Sequence, residues 1–212
     1  MTAWESRLAD RSPSVQRSRD RSVKQAQVLV AAARRLVLEE GDNFTTKELV
    51  NEAGVALQTF YRYFAGKDEL MLAVLEDLIR EACEAFQVRA ADLDDPLERL
   101  ESHVTSVFAL LDDPESRSGA RFVASEHWRL TQTLPNEVAV AIKPFADLLR
   151  DEIVAADTVG EVNSADPERD SWLLSQLILS VFHQCSFADT QDPGLATGVW
   201  RFVLHGLGRP LV

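Results

Sequence analysis

The stretch from Thr45 to Lys67, TTKELVNEAGVALQTFYRYFAGK, restricts what the chain can fold into more than any other. It holds two short helical patterns with Ala53-Gly54-Val55 between them, and a turn that tight with Gly at its centre crosses two helices in a helix-turn-helix. Thr45 and Glu48 have the spacing of a capping box, in which each side chain satisfies a backbone N–H left free at a helix start. The spacing predicts a helix opening at Thr45. Leu49, Val50 and Ala53 give it one apolar side, and Gly54 supplies the positive φ that a Cβ resists. The second helix, about Ala56 to Arg62, has only two turns and cannot stand alone. Gln58, Thr59, Tyr61, Arg62 and Tyr63 mix hydrogen-bonding groups with aromatic rings, which suits reading a nucleic-acid groove better than filling a core.

The preceding helix is expected from Ser22 to Glu40, with Ala26, Leu29, Ala33 and Leu36 on one stripe, Ser22 as its cap and Gly41 as its stop. Asn43 and Phe44 form the connection. Leu49, Val50, Val55, Phe60 and Phe64 close a three-helix core against it. Gly66-Lys67-Asp68-Glu69 opens a further helix to about Arg89, with acids in its first turn as the helix dipole prefers.

In its order of residues this block resembles the DNA-binding domain of the TetR/AcrR family of one-component bacterial transcription regulators. The match runs from Leu36 through Gly41, Thr45-Thr46, Ala53-Gly54-Val55, Thr59, Tyr61, Phe64 and Lys67 to Leu70. A shorter echo, Trp200-Arg201-Phe202 to Gly206-Leu207, is similar to the family's last helix. The resemblance is specific over roughly the first third and architectural beyond it. It implies an all-α chain of about nine helices: a three-helix helix-turn-helix domain, then a helical ligand-binding and dimerisation domain. The expected divisions are 1–21, a mobile basic arm; 22–66, the DNA-binding head; and 67–212, the body.

By the same resemblance Lys47, Leu57, Gln58, Thr59 and Arg62 fall where base edges are read, and Thr46, Tyr61, Tyr63 and Lys67 where phosphates are held, beside the cap Thr45. Arg62 suits guanine N7 and O6 and Gln58 suits adenine. Phe44 sits later than in the family pattern, and Leu57-Gln58 replaces residues that are often small or Gly, so the operator cannot be borrowed from relatives.

Net charge is −12, which argues against a DNA binder until it is divided by region. Residues 1–66 hold 10 Lys+Arg against 8 Asp+Glu, and residues 67–212 hold 12 against 26. An acidic body either repels a nucleic-acid backbone everywhere but at the head or is simply a solvated surface. Arg17, Arg19 and Arg21 either reach a minor groove or belong to a tail without contacts. Cys83 and Cys185 lack the spacing of a disulfide framework or a zinc site and are expected in the core of a protein in a reducing compartment. Arginines through residue 21 interrupt any leader, and Trp172 to Phe182 is too short and polar to span a bilayer, so no membrane role and a cytoplasmic location are expected.

Pro-containing turns at 94–96, 112–114, 134–135, 166–167 and 192–193 divide the rest into helices of about 95–111, 115–130, 136–156, 167–188 and 194–207. The resemblance implies that residues 67–190 enclose a pocket for a small-molecule effector. Plausible lining is Phe86, Val104, Phe108, Phe122, Trp128, Phe145, Leu149, Trp172, Phe182 and His183, with His103, Glu126 and His127 as further polar contacts; such a wall suits a lipophilic ligand. Ordinary core packing would use the same residues. The last two helices are implied to pair with their copies in a homodimer, through Leu173, Leu177, Val181, Val199, Trp200, Phe202 and Val203, unless the subunit's own core covers them.

No metal or cofactor is implied. An enzyme on a helical bundle would show Glu-x-x-His pairs, and none of the four His has Glu three residues before it. Phosphate loops, nucleophile elbows and His-Glu-x-x-His are also missing. The reading is a ligand-responsive regulator, a repressor on the family pattern, binding a palindromic operator as a dimer. The competing readings are a helical adaptor and a constitutive DNA-binding protein.

Overall fold

The computed structural model describes residues 13–40, 44–188 and 192–208, and among these there are nine α-helices and no strand. The helices are α1 (Pro13–Glu40), α2 (Thr46–Glu52), α3 (Leu57–Tyr63), α4 (Lys67–Ala90), α5 (Pro96–Asp112), α6 (Pro114–Thr131), α7 (Pro135–Thr158), α8 (Pro167–Ser186) and α9 (Leu195–Gly206). The chain is all-α and divides by packing into two compact units, residues 1–74 and 75–212.

In the first unit α1 starts at Pro13, well before the Ser22 expected from its apolar stripe. Residues 13–21 are therefore helical rather than an irregular arm. Proline is harmless in a first helical turn, and the charged and polar residues that follow carry helix propensity without an apolar stripe to betray it. The rest of the proposed arm, residues 1–12, and the Gly41 stop with Asn43 lie outside the described residues.

Leu29, Ala32, Ala33, Leu36 and Val37 of α1 bury with Leu49 and Val50 of α2, Phe60 of α3, and the flanking Phe44 and Phe64. Val55 is only half-buried. Thr45 caps α2 as its spacing requires: its hydroxyl accepts from Glu48 N–H at 3.2 Å, and the Glu48 carboxylate accepts from Thr45 N–H at 2.6 Å. The bonds that the Glu48 carboxylate accepts from Thr45 N–H and, at 2.8 Å, from the Thr45 hydroxyl hold its carboxyl below its ordinary value. The contribution of this cap to stability is thus complete above the ordinary carboxylate range and is lost as pH falls through the lowered value.

Beyond α2, Gly54 adopts φ 64°. Its N–H donates to Asn51 O at 3.2 Å and that of Val55 to Val50 O at 3.0 Å, the pair of reversed bonds by which a glycine closes a helix C-terminus. A Cβ at Gly54 would meet nothing within 4 Å, so the constraint is conformational and not steric crowding. Gly54→Ala is expected to destabilise the head by about 1 kcal/mol, read as a shift in its urea unfolding midpoint.

The second unit is a bundle with α5 at its centre, packed by α6, α7, α8 and α9, and with α7 also lying along α8. Its helices start where the proline punctuation places them. Asp95 Oδ1 accepts from Leu97 N–H at 2.7 Å ahead of α5, and Asp166 from Arg169 N–H at 3.1 Å ahead of α8. Arg99 ties α5 to α7 by donating from Nε to Glu152 at 2.9 Å. The inward side of α8 is built partly of serines. Ser171, Ser175 and Ser186 are buried, and each hydroxyl donates to a carbonyl one turn back, at 2.9, 2.7 and 2.8 Å, leaving no donor unpaired. Cys83 is buried, which pushes its thiol up to about 11, whereas Cys185 is only half-buried. Among the described residues no helix is long and apolar enough to cross a membrane.

Candidate nucleic-acid interface

The candidate reading surface of the head lies on α3 and the start of α2. Only Phe60 of α3 is buried, at 1% exposure, so one aromatic side chain fixes which way this two-turn helix faces. Its ring meets Tyr61 edge-on at 5.0 Å and Phe64 at 6.0 Å. Leu57, Gln58, Tyr61 and Arg62 consequently point to solvent, Tyr61 at 58% exposure. Lys47 on α2 is exposed too, while Thr46 and Thr59 are half-buried.

Three of the residues assigned to this face have work inside the head. The Thr45 hydroxyl is engaged with Glu48. The Tyr63 hydroxyl donates to Gln25 Oε1 at 2.6 Å, tying α3 to α1. Lys67 Nζ donates to the Phe44 carbonyl at 2.9 Å and lies 4.4 Å from the centre of the Phe44 ring. The displaced Phe44 thereby gains a partner at the start of α4. Arg35 of α1 reaches Glu52 of α2 at 2.7 Å, an exposed pair at a sequence distance that no helical spacing reveals. The face that remains offers a guanidinium, a carboxamide, a phenol and an ammonium around one leucine, on a frame pinned at both ends.

Inside the body Phe86, Val104, Phe108, Phe122, Phe145, Leu149 and Phe182 are buried. Trp128 and Trp172, expected beside them, are exposed. The inward stripe of α6 runs Phe122, Glu126, Leu130, and two residues of helix turn Trp128 to the other side. It stacks on the half-buried His183 at 5.5 Å, and Phe187 meets the same imidazole at 5.3 Å. Burial first, and then the nearby His183, pushes His127 down. The buried Glu126 carboxylate is bound twice by Arg129, at 3.0 Å from Nε and 2.6 Å from a terminal nitrogen. His103 is buried with Nε2 at 3.7 Å from Glu152. Burial is the larger influence on it and lowers its pKa, against the raising effect of Glu152. No group of three His, Cys, Asp or Glu side chains able to hold a metal occurs among the described residues.

Residues 29–74, the head with its glycine turn and the start of α4, match the model of the bacterial regulatory proteins of the tetR family. Its head is thus a tetR-family domain. It is 32% identical over 82 residues to the HTH-type transcriptional regulator BetI of Brucella abortus, covering 38% of this chain and 41% of that protein. BetI of Brucella anthropi is 30% identical over the same length, 42% of its own. The chain thus spans about two fifths of the curated relatives it matches. Among solved structures, RolR in complex with resorcinol superposes with a TM-score of 0.66 at 21% identity, over 91% of this chain and 97% of that one. FadR from Bacillus subtilis with stearoyl-CoA gives 0.64 at 19%, over 85% and 98%. At these identities the likeness is one of fold.

In the body the residues assigned to a dimer interface divide. Leu173 and Phe202 are exposed and Leu177 and Val181 half-buried, but Val199, Trp200 and Val203 are buried within their own unit. Val199, Val203 and Leu207 follow one another at four-residue steps and turn inward with Trp200, in a helix that packs on α5. Phe202, displaced from that inward row, is 66% exposed.

Proposed function

We propose that this TetR-family chain is a ligand-responsive transcriptional regulator, a repressor that binds a palindromic DNA operator as a homodimer and is released by a small lipophilic effector held in the body, within the cytoplasm. The observation that carries the reading is the exposed face of α3, with Leu57, Gln58, Tyr61 and Arg62 outward and Phe60 alone inward. Two such helices, one turn of the duplex apart, make a specific reader out of a contact too weak singly. The exposed apolar residues Trp172, Leu173 and Phe202 on α8 and α9 support a second subunit as the way to double the helix. Resorcinol in RolR and stearoyl-CoA in FadR support a small-molecule effector, as does the buried aromatic set of this body.

Gel shift with DNA flanking the protein's own gene tests the DNA half. Arg62→Ala should weaken the best operator by about 10- to 100-fold, the loss of one bidentate guanine contact, while random DNA changes much less at the same salt. An equal loss on both would remove Arg62 from base reading. A screen of lipophilic metabolites for release of that complex tests the effector half.

A further inference from the structure

We propose that His103 and Ser106 form the polar end of the effector site and that the effector carries a hydroxyl group, an alcohol or a phenol on a neutral apolar skeleton. What the ligand does rests on the regulator reading; that it binds does not. The two residues lie one turn apart on α5, the helix around which the body packs, at 1% and 3% exposure. Among the described residues neither His103 Nδ1 nor Ser106 Oγ has a hydrogen-bond partner. Polar atoms this deep are ordinarily paired, and leaving them unpaired is unfavourable. The contrast within the same bundle is informative. Ser171, Ser175 and Ser186 of α8 are equally buried and each gives its proton to its own helix, as Thr105 beside Ser106 does to Glu101 O at 2.8 Å. Ser106 does not.

The surroundings select the chemistry of the missing partner. His103 Nε2 faces the Glu152 carboxylate at 3.7 Å, and that carboxylate is held in place by Arg99 Nε at 2.9 Å. Burial favours the neutral imidazole, and its one proton belongs on the nitrogen that faces the carboxylate. Nδ1 is then an acceptor only. Ser106 can donate or accept. A ligand hydroxyl suits both, giving its proton to Nδ1 and taking one from Ser106. An ether or ketone has no proton for Nδ1. A carboxylate has none either and adds a second negative charge near Glu152 in an apolar interior. Leu100, Val104, Val107 and Phe108, buried on the same helix, leave the rest of the ligand to be apolar.

The test uses the full chain and matched probes: 4-butylphenol against 4-butylanisole, and 1-octanol against octanoate, by calorimetric titration. At least one hydroxyl probe should bind about tenfold tighter than its ether or carboxylate counterpart, the difference expected for one buried hydrogen bond. Ser106→Ala and His103→Leu should each erase that preference while the ether and carboxylate counterparts bind as before. If a variant fails to fold, the probe pairs on the unaltered protein decide alone. Equal binding within both pairs, or no binding of either hydroxyl probe, overturns the proposal and leaves a buried polar pair bridged by water. Gel shift run in parallel keeps the two readings apart. A hydroxyl preference without any DNA complex would sink the regulator and spare the site, and a DNA complex without a hydroxyl preference would do the reverse.

Discussion

Phe60→Ala should unfold the head and leave the body standing. Phe60 is the single buried residue of α3, fully enclosed and touching the rings of Tyr61 and Phe64. Truncating such a side chain removes its transfer free energy and leaves a cavity, together about 3–5 kcal/mol. A unit of this size has a total stability of only about 5 kcal/mol, so the loss is of the same order as the whole. A seven-residue helix has no stability of its own to fall back on once its anchor is gone. Because residues 75–212 form a separate compact unit with their own core, calorimetry should show the low-stability transition lost or shifted far down and the other unmoved. DNA binding should disappear with it. A single transition displaced as a whole would mean that the two units do not unfold independently.

The head was legible in the sequence because its constraints are local. The Thr45–Glu48 cap and the Gly54 turn are each set by residues a few positions apart, and both stand as the spacing requires. So are the acid-capped, proline-initiated starts of α5 and α8. What the sequence hid is of three kinds. One is helix without an apolar stripe, as at residues 13–21, where propensity alone extends α1. Another is pairing across helices. Tyr63 with Gln25, Lys67 with Phe44, Arg35 with Glu52 and Arg99 with Glu152 join positions whose separation carries no period, and they turn residues that look like free surface groups into fasteners. The wide apolar swath of α8 and α9 posed a third difficulty. Counting apolar residues cannot say which of two neighbours is turned inward, and Trp172 with Phe202 went outward while Trp200 went in.

Replacing Leu173 and Phe202 by Glu should separate the subunits of the proposed homodimer without loosening the fold. Both side chains are exposed in the single chain, so the substitution opens no cavity, and the monomer's melting temperature should stay within the small range of surface changes. Across a twofold axis each introduced carboxylate meets its own copy or an apolar neighbour, and a like-charged or unpaired charge in an interface is strongly unfavourable. Sedimentation velocity should therefore report a monomer for the variant and, on the proposed function, a dimer for the unaltered chain. The effect on DNA follows from geometry. With each head intact but no longer coupled, operator affinity falls from that of two linked half-site contacts to that of one, a loss of about 10²- to 10⁴-fold. Random DNA, bound mainly through phosphates, should lose less, so specificity collapses along with affinity. A variant that stays dimeric and keeps its operator affinity would place the subunit contact elsewhere. One that becomes monomeric and still binds the palindrome at full strength would show instead that a single exposed α3 is sufficient to read it.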